Sequence, residues 1–184
     1  LSTDEVVATL AQMKILSCEA SLRNFLLKQK HTTIQIFSAF AYSTADFVRG
    51  LKARNNSVEV IVGTINAFTD PQFIYDVASI LPKGLWVDFR GHKSIHWKLY
   101  LVAPMTVVIG SANLTDTGLN LTRDTCVVLR NQSLYDDYRK KVEALKGCSS
   151  DILRPNSKKF RAALKQYTEL HERTQAAKQR AEAK

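Results

Sequence analysis

Residues 96–113 read HWKLYLVAPMTVVIGSAN, and the fold is decided by how this stretch is read. Two apolar runs, Trp97 to Val102 and Met105 to Ile109, are separated only by Ala103-Pro104. That spacing predicts a β-hairpin. In an extended strand residues i and i+2 point the same way, so His96 and Lys98 share one face and Trp97 turns to the other. The return strand carries Gly110-Ser111-Ala112-Asn113 back beside them. An imidazole, an ammonium, a hydroxyl and a carboxamide then meet in one place.

Before the hairpin the pattern alternates. Ile34 to Phe40 (IQIFSAF) reads as a buried strand, Ala45 to Arg54 as a helix with Phe47, Val48 and Leu51 on one face, and Val58 to Val62 as a second strand. Asp70-Pro71 opens another helix, whose apolar stripe is Phe73, Ile74, Val77 and Ile80. Pro82-Lys83-Gly84 then turns the chain into Leu85 to Phe89, a third strand. Strand, helix, strand, helix, strand argues for parallel pairing. At the start, Ser2 or Thr3 caps a helix carrying Val6, Leu10, Met13 and Leu16, which resumes at Leu22, Phe25 and Leu26. After the hairpin come a strand at Thr125 to Leu129, a helix at Leu134 to Leu145, a linker at Asp151 to Pro155 and a helix from Ser157 onward. The expected fold class is α/β: a mixed, largely parallel sheet flanked by helices on both faces, plus a C-terminal helix. The expected domains are a body at 1–150 and a basic helical extension at 151–184.

The 184 residues are 45% hydrophobic and 23% charged, which suits a globular chain and excludes disorder or coiled coil throughout. No run of 18 apolar residues occurs, so no transmembrane helix is expected. The net charge is +9, and an excess of that size favours polyanionic partners, nucleic acid before an anionic membrane. Beyond Gly147 nine basic residues face four acidic ones, so this last fifth holds more than half of the net charge. The bland reading of that tail is a solvated helix face. Cys18, Cys126 and Cys148 are odd in number and lack ligand spacing, so they read as idle thiols in a reducing compartment. The four N-x-Ser/Thr sequons carry no meaning without a secretory signal.

Several chemistries lack their motifs. The chain has no G-x-x-x-x-G-K, G-x-G-x-x-G, H-E-x-x-H or G-x-S-x-G. What remains is the 96–113 constellation. An imidazole can attack phosphorus or shuttle protons near neutral pH. Lys98, Ser111 and Asn113 can donate to phosphate oxygens, and Gly110 lets backbone come close to a ligand. Set beside this, a lone strand histidine is usually structural, and Ser111 and Asn113 could merely satisfy a turn. His92 reads as surface or substrate-side; His31 and His171 carry no role.

The pattern resembles the phospholipase D superfamily, whose signature is H-x-K-x4-D-x6-G-S-x-N. His96 and Lys98 fill H-x-K, and Gly110, Ser111 and Asn113 fill G-S-x-N at the required spacing. Ala103 stands where the family has Asp. Five identities at fixed offsets arise by chance in roughly one chain in ten thousand or fewer. The run GSANLTDTGLN also looks like the single-motif bacterial nucleases of the superfamily, including restriction-type enzymes. The likeness covers roughly Ile34 to Leu145.

The resemblance implies a metal-independent phosphodiesterase, a nuclease on DNA ahead of RNA, working through a phosphohistidine on His96. Lys98, Ser111 and Asn113 would hold phosphate oxygens. An acidic residue eleven positions after the Asn orients the histidine in the nuclease branch; here it is Asp124. Since members need two motifs per active site, one motif implies a homodimer through the motif face. No cofactor or metal is expected, nor stable membrane association, and the expected location is cytoplasmic. The alternatives are a phospholipid phosphodiesterase at a membrane and a nucleic-acid-binding module whose catalysis has decayed, to which Ala103 lends its only support.

Overall fold

The computed structural model describes residues 13–18 and 21–183. Among these residues, eight strands make one sheet: β1 (Met13–Leu16), β2 (Thr33–Ser38), β3 (Ser57–Gly63), β4 (Leu85–Asp88), β5 (Lys98–Val102), β6 (Thr106–Gly110), β7 (Cys126–Arg130) and β8 (Ile152–Leu153). Their spatial order is β1-β7-β6-β5-β2-β3-β4-β8. The helices are α1 (Leu22–Leu27), α2 (Ala45–Lys52), α3 (Pro71–Ile80), α4 (Asp116–Leu119), α5 (Gln132–Gly147) and α6 (Lys158–Glu182).

The mixed α/β architecture is as expected, but "largely parallel" needs correction. Among the strands of the described residues, only the pairs β2–β3 and β3–β4 are parallel. The pairs β2–β5, β5–β6, β6–β7, β1–β7 and β4–β8 run antiparallel. Parallel pairing needs a crossover of a dozen or more residues, and the Ala103–Met105 turn between β5 and β6 can only reverse the chain. Two further expectations change. Met13 and Leu16 lie in β1, not in a helix, because β1 pairs with β7 from Met13↔Leu129 to Leu16↔Cys126. Val6 and Leu10 fall outside the described residues. The Asp151–Pro155 segment is not only a linker: Ile152 and Leu153 pair with Asp88 and Val87 at the edge of the sheet.

Local chemistry sets the helix starts. Asp70 caps α3 by accepting from the Gln72 amide, with Pro71 in the first position. Ser157 caps α6 and Asn131 caps α5 in the same way. The sheet separates two apolar layers. One packs α1, α2, α3, α4 and α6 against Ile34, Ile36, Val60, Tyr100, Val108 and their neighbours. The other is covered by α5, through Tyr135 and Val142, against Phe37, Ile61, Leu99, Leu101 and Val107. The basic extension thus belongs to the larger layer, where Phe160, Leu164 and Tyr167 are buried.

The chain reverses its direction of build at β2. From β2 it progresses to β3 and β4 on one side, then returns past both to place β5 on the other. Residues 89–97 make that return over the ends of the parallel strands. β3 ends there in Gly63, where a Cβ would lie 2.7 Å from both the Ala39 and the Ile95 carbonyl oxygens. In open α/β sheets ligands favour the crevice at such a switch, outside the carboxyl ends of the parallel strands.

Candidate active site

β5 begins and β6 ends at that crevice, because β5 pairs antiparallel with β2 and places Lys98 opposite Ser38. Lys98 lies on the same face of β5 as Tyr100 and Val102, whereas Trp97 packs into the other layer, 6.3 Å from Phe37 between ring centroids. The expected i, i+2 geometry is realised: Lys98 Nζ stands 3.2 Å from His96 Nε2 and donates to the His96 carbonyl at 3.2 Å. An ammonium has no lone pair, so toward it Nε2 is the accepting partner. Partial burial lowers the pKa of Lys98 below the usual lysine range, and the Asp124 carboxylate opposes that shift.

The turn after β6 is held from three sides. Ser111 Oγ donates to Asp124 Oδ1 at 2.6 Å and accepts from the Thr125 amide at 3.1 Å. The Tyr100 hydroxyl donates to the Ala112 carbonyl at 2.9 Å from inside the core. Ser38 Oγ lies 3.2 Å from Asn113 Oδ1 and accepts from the Leu114 amide at 2.8 Å. With Oδ1 facing Ser38, the Asn113 amide nitrogen is the donor end of the side chain. Gly110 has a packing reason too. A Cβ there would lie 2.1 Å from the Thr125 carbonyl oxygen and 2.7 Å from Cys126 Sγ. Glycine is needed there so that β7 can approach.

His96, Lys98, Ser111, Asn113 and Asp124 therefore gather at one end of the sheet. The Asp124 carboxylate accepts from the Ser111 hydroxyl, and its charge acts on Lys98. His92 is exposed on the turn Gly91–Lys93, His31 is exposed, and His171 Nδ1 donates to the Ala67 carbonyl at 2.8 Å. Among the described residues no group of three or more His, Cys, Asp or Glu side chains converges as a metal cage. No helix among them is long and apolar enough to cross a membrane.

Three supporting residues escaped the reading of the sequence. Asp88 is fully buried at the end of β4. Its carboxylate binds the Arg90 guanidinium at 2.7 and 2.8 Å and accepts from the Ile95 amide at 2.9 Å. It thereby ties down the loop that delivers His96; leaving such a buried charge unpaired costs about 3–5 kcal/mol. Ser38 and Tyr100 support Asn113 and Ala112 from below. The available signals were a carboxylate closing the apolar run LWVD and a hydroxyl inside IQIFSAF.

The fold and the site together define an α/β architecture in which a His-x-Lys segment faces a Gly-Ser-x-Asn turn. A family model described as "Cardiolipin synthase, PLD-like domain" matches residues 25–146, and the chain belongs to this phospholipase D-like family. It is similar to Nuc from Salmonella typhimurium, a phospholipase D family member, with 19% identity and a TM-score of 0.58 over 79% of this chain and 99% of that one. NucT from Helicobacter pylori gives 11% identity and a TM-score of 0.55 over 77% and 98%. Phosphatidylserine synthase from Haemophilus influenzae gives 12% and 0.61, over 88% of this chain but 44% of its own length. At these identities the likeness is one of fold. No curated protein matches the chain.

Proposed function

We propose that the protein is a metal-independent phosphodiesterase that cleaves nucleic acid, DNA ahead of RNA, through a phosphohistidine. The observation that carries this reading is the 3.2 Å contact between Lys98 Nζ and His96 Nε2 at the mouth of the switch crevice. A phosphodiester entering there takes over the Lys98 donor, which frees the Nε2 lone pair. Nε2 then attacks phosphorus, an N–P bond forms, and the bond to the leaving oxygen breaks. Lys98 and the Asn113 amide hold the charge on the non-bridging oxygens. Water next attacks phosphorus and releases His96. Asp124 keeps Ser111 in place and sustains the charge on Lys98.

In-line displacement needs a proton donor opposite the nucleophile, and His96 cannot occupy both positions. The partner subunit's His96, brought close by a two-fold axis at the motif face, supplies the donor. A net charge of +9 suits a polyanionic strand. A second reading, phospholipid phosphodiester chemistry, is favoured by the description of the family model. Plasmid nicking in excess chelator, set beside turnover of a phospholipid, separates the two. The nuclease reading expects nicking by wild type and none by His96→Ala. Strict dependence on added Mg²⁺, or turnover of lipid alone, overturns it.

A further inference from the structure

The loop that delivers His96 and helix α6 enclose a groove of about 530 Å³. Its walls include Asn66 and Phe68 from the loop after β3, His92 from the β4–β5 loop, and Leu170, Thr174 and Lys178 from α6. None of the residues lining it is acidic. Lys178 Nζ stands 4.0 Å from the centroid of the Phe68 ring, and Leu170 is 45% exposed. Two walls lead to the site. His92 precedes His96 by four residues, at most about 14 Å of extended chain. Phe68 meets Phe40 edge-on at 5.5 Å, and the Phe40 carbonyl accepts from Ser38, which also reaches Asn113.

The loop that presents Phe68 is held in a costly conformation. Asn66 and Ala67 are consecutive left-handed residues, at φ 51° and 53°. Such backbone persists only where its surroundings enforce it, and it clusters at functional segments. Here α6 enforces it. His171 donates to the Ala67 carbonyl at 2.8 Å, and the Tyr167 hydroxyl donates to the Thr69 carbonyl at 2.6 Å. The basic extension is thereby tied to the rim of the crevice.

We propose that this groove takes an unpaired nucleotide of the strand that continues from the scissile phosphate. Its base lies against Phe68 and Leu170, and its phosphate meets Lys178 and His92. The inference rests on the nucleic-acid reading above and adds to it a preference for single strands. In the free protein the Lys178 ammonium covers the Phe68 ring as a cation over a π-face. Binding moves it onto the phosphate and exposes the ring to the base. A paired base keeps its neighbours stacked and cannot enter.

The test compares three substrates: a small chromogenic phosphodiester, an oligothymidylate, and the same oligothymidylate annealed to its complement. Wild type should cut the single strand faster than the duplex. Phe68→Ala should lower the ratio of single-strand to small-diester rate about tenfold, the size of one lost base stack. Lys178→Glu should lower it too, and Lys178→Arg should restore it, which a folding defect would not do. An unchanged ratio in Phe68→Ala, or equal rates on both strand forms, overturns the groove while leaving the nuclease reading intact. Turnover of the small diester without cleavage of either nucleic acid overturns the nuclease reading itself. Binding of anionic phospholipid vesicles that depends on Phe68 and Lys178, without binding of the oligothymidylate, assigns the groove to a membrane and overturns the proposal.

Discussion

The two ends of β5 differ in what they ask of their side chains. At one end Lys98 touches His96 and feels Asp124. At the other, Ala103 is held through its backbone: its amide donates to the Thr33 carbonyl at 3.0 Å and its carbonyl accepts from Thr32 Oγ1 at 3.0 Å. Four residues of strand lie between Lys98 and Ala103, a span of about 17 Å. The family's aspartate position therefore lies where β2 starts, away from the crevice at its close. A signature read as one line along the chain is two places in space. With Ala103 at the middle position, Lys98 still meets His96 and the charge of Asp124.

This contrast can be broken at four points. The largest effect belongs to His96→Ala, which should lower turnover by about 10⁴-fold or more, with no phosphoryl adduct trapped on the chain by acid-free quench and mass spectrometry. Lys98→Ala should cost about 10²–10³-fold in kcat, the usual loss of one donor to a developing charge. Asp124→Asn should cost about tenfold and also change the pH profile. Burial holds Lys98 low and Asp124 opposes it, so removing that carboxylate lowers the Lys98 pKa further. The ammonium is then lost at lower pH, and the alkaline limb of the rate profile moves to lower pH; a shift upward would refute the assignment. The smallest effect is expected at the far end. Ala103→Asp restores the family residue and should leave kcat/KM within about twofold, since substitutions away from special contacts change little. A large gain there would mean that the two ends communicate.

Much of this was legible in the sequence because it is local. The hairpin, the His96–Lys98 face, the capped start of α3 at Asp70 and the strand–helix alternation all follow from residues within a few positions of each other. What was not legible depends on distant partners. β1 reads as a continuation of a helical stripe until β7, more than a hundred residues later, offers it a ladder. β8 is two residues long and exists only because β4 has a free edge. Gly110 shows the same limit. Its need for a bare backbone beside Thr125 and Cys126 becomes visible only once β7 is paired with β6. Asp88 gave a weak signal, one charge at the end of an apolar run, and its importance appears only once Arg90 and Ile95 fold back on it.

The hydroxyl of Tyr100 gives the molecule an internal optical reporter. The ring is fully buried, its hydroxyl spans to the Ala112 carbonyl, and burial pushes its ionisation well above the ordinary tyrosine range. Tyr42 and Tyr75 are exposed. Phenolate absorbs in the near ultraviolet where phenol does not. On raising the pH, Tyr100 should ionise only when the 110–113 turn lets go of it. Tyr135 and Tyr167 are buried as well, so the slow phase after a rapid alkaline jump that Tyr100→Phe removes is the clock for the opening of that turn.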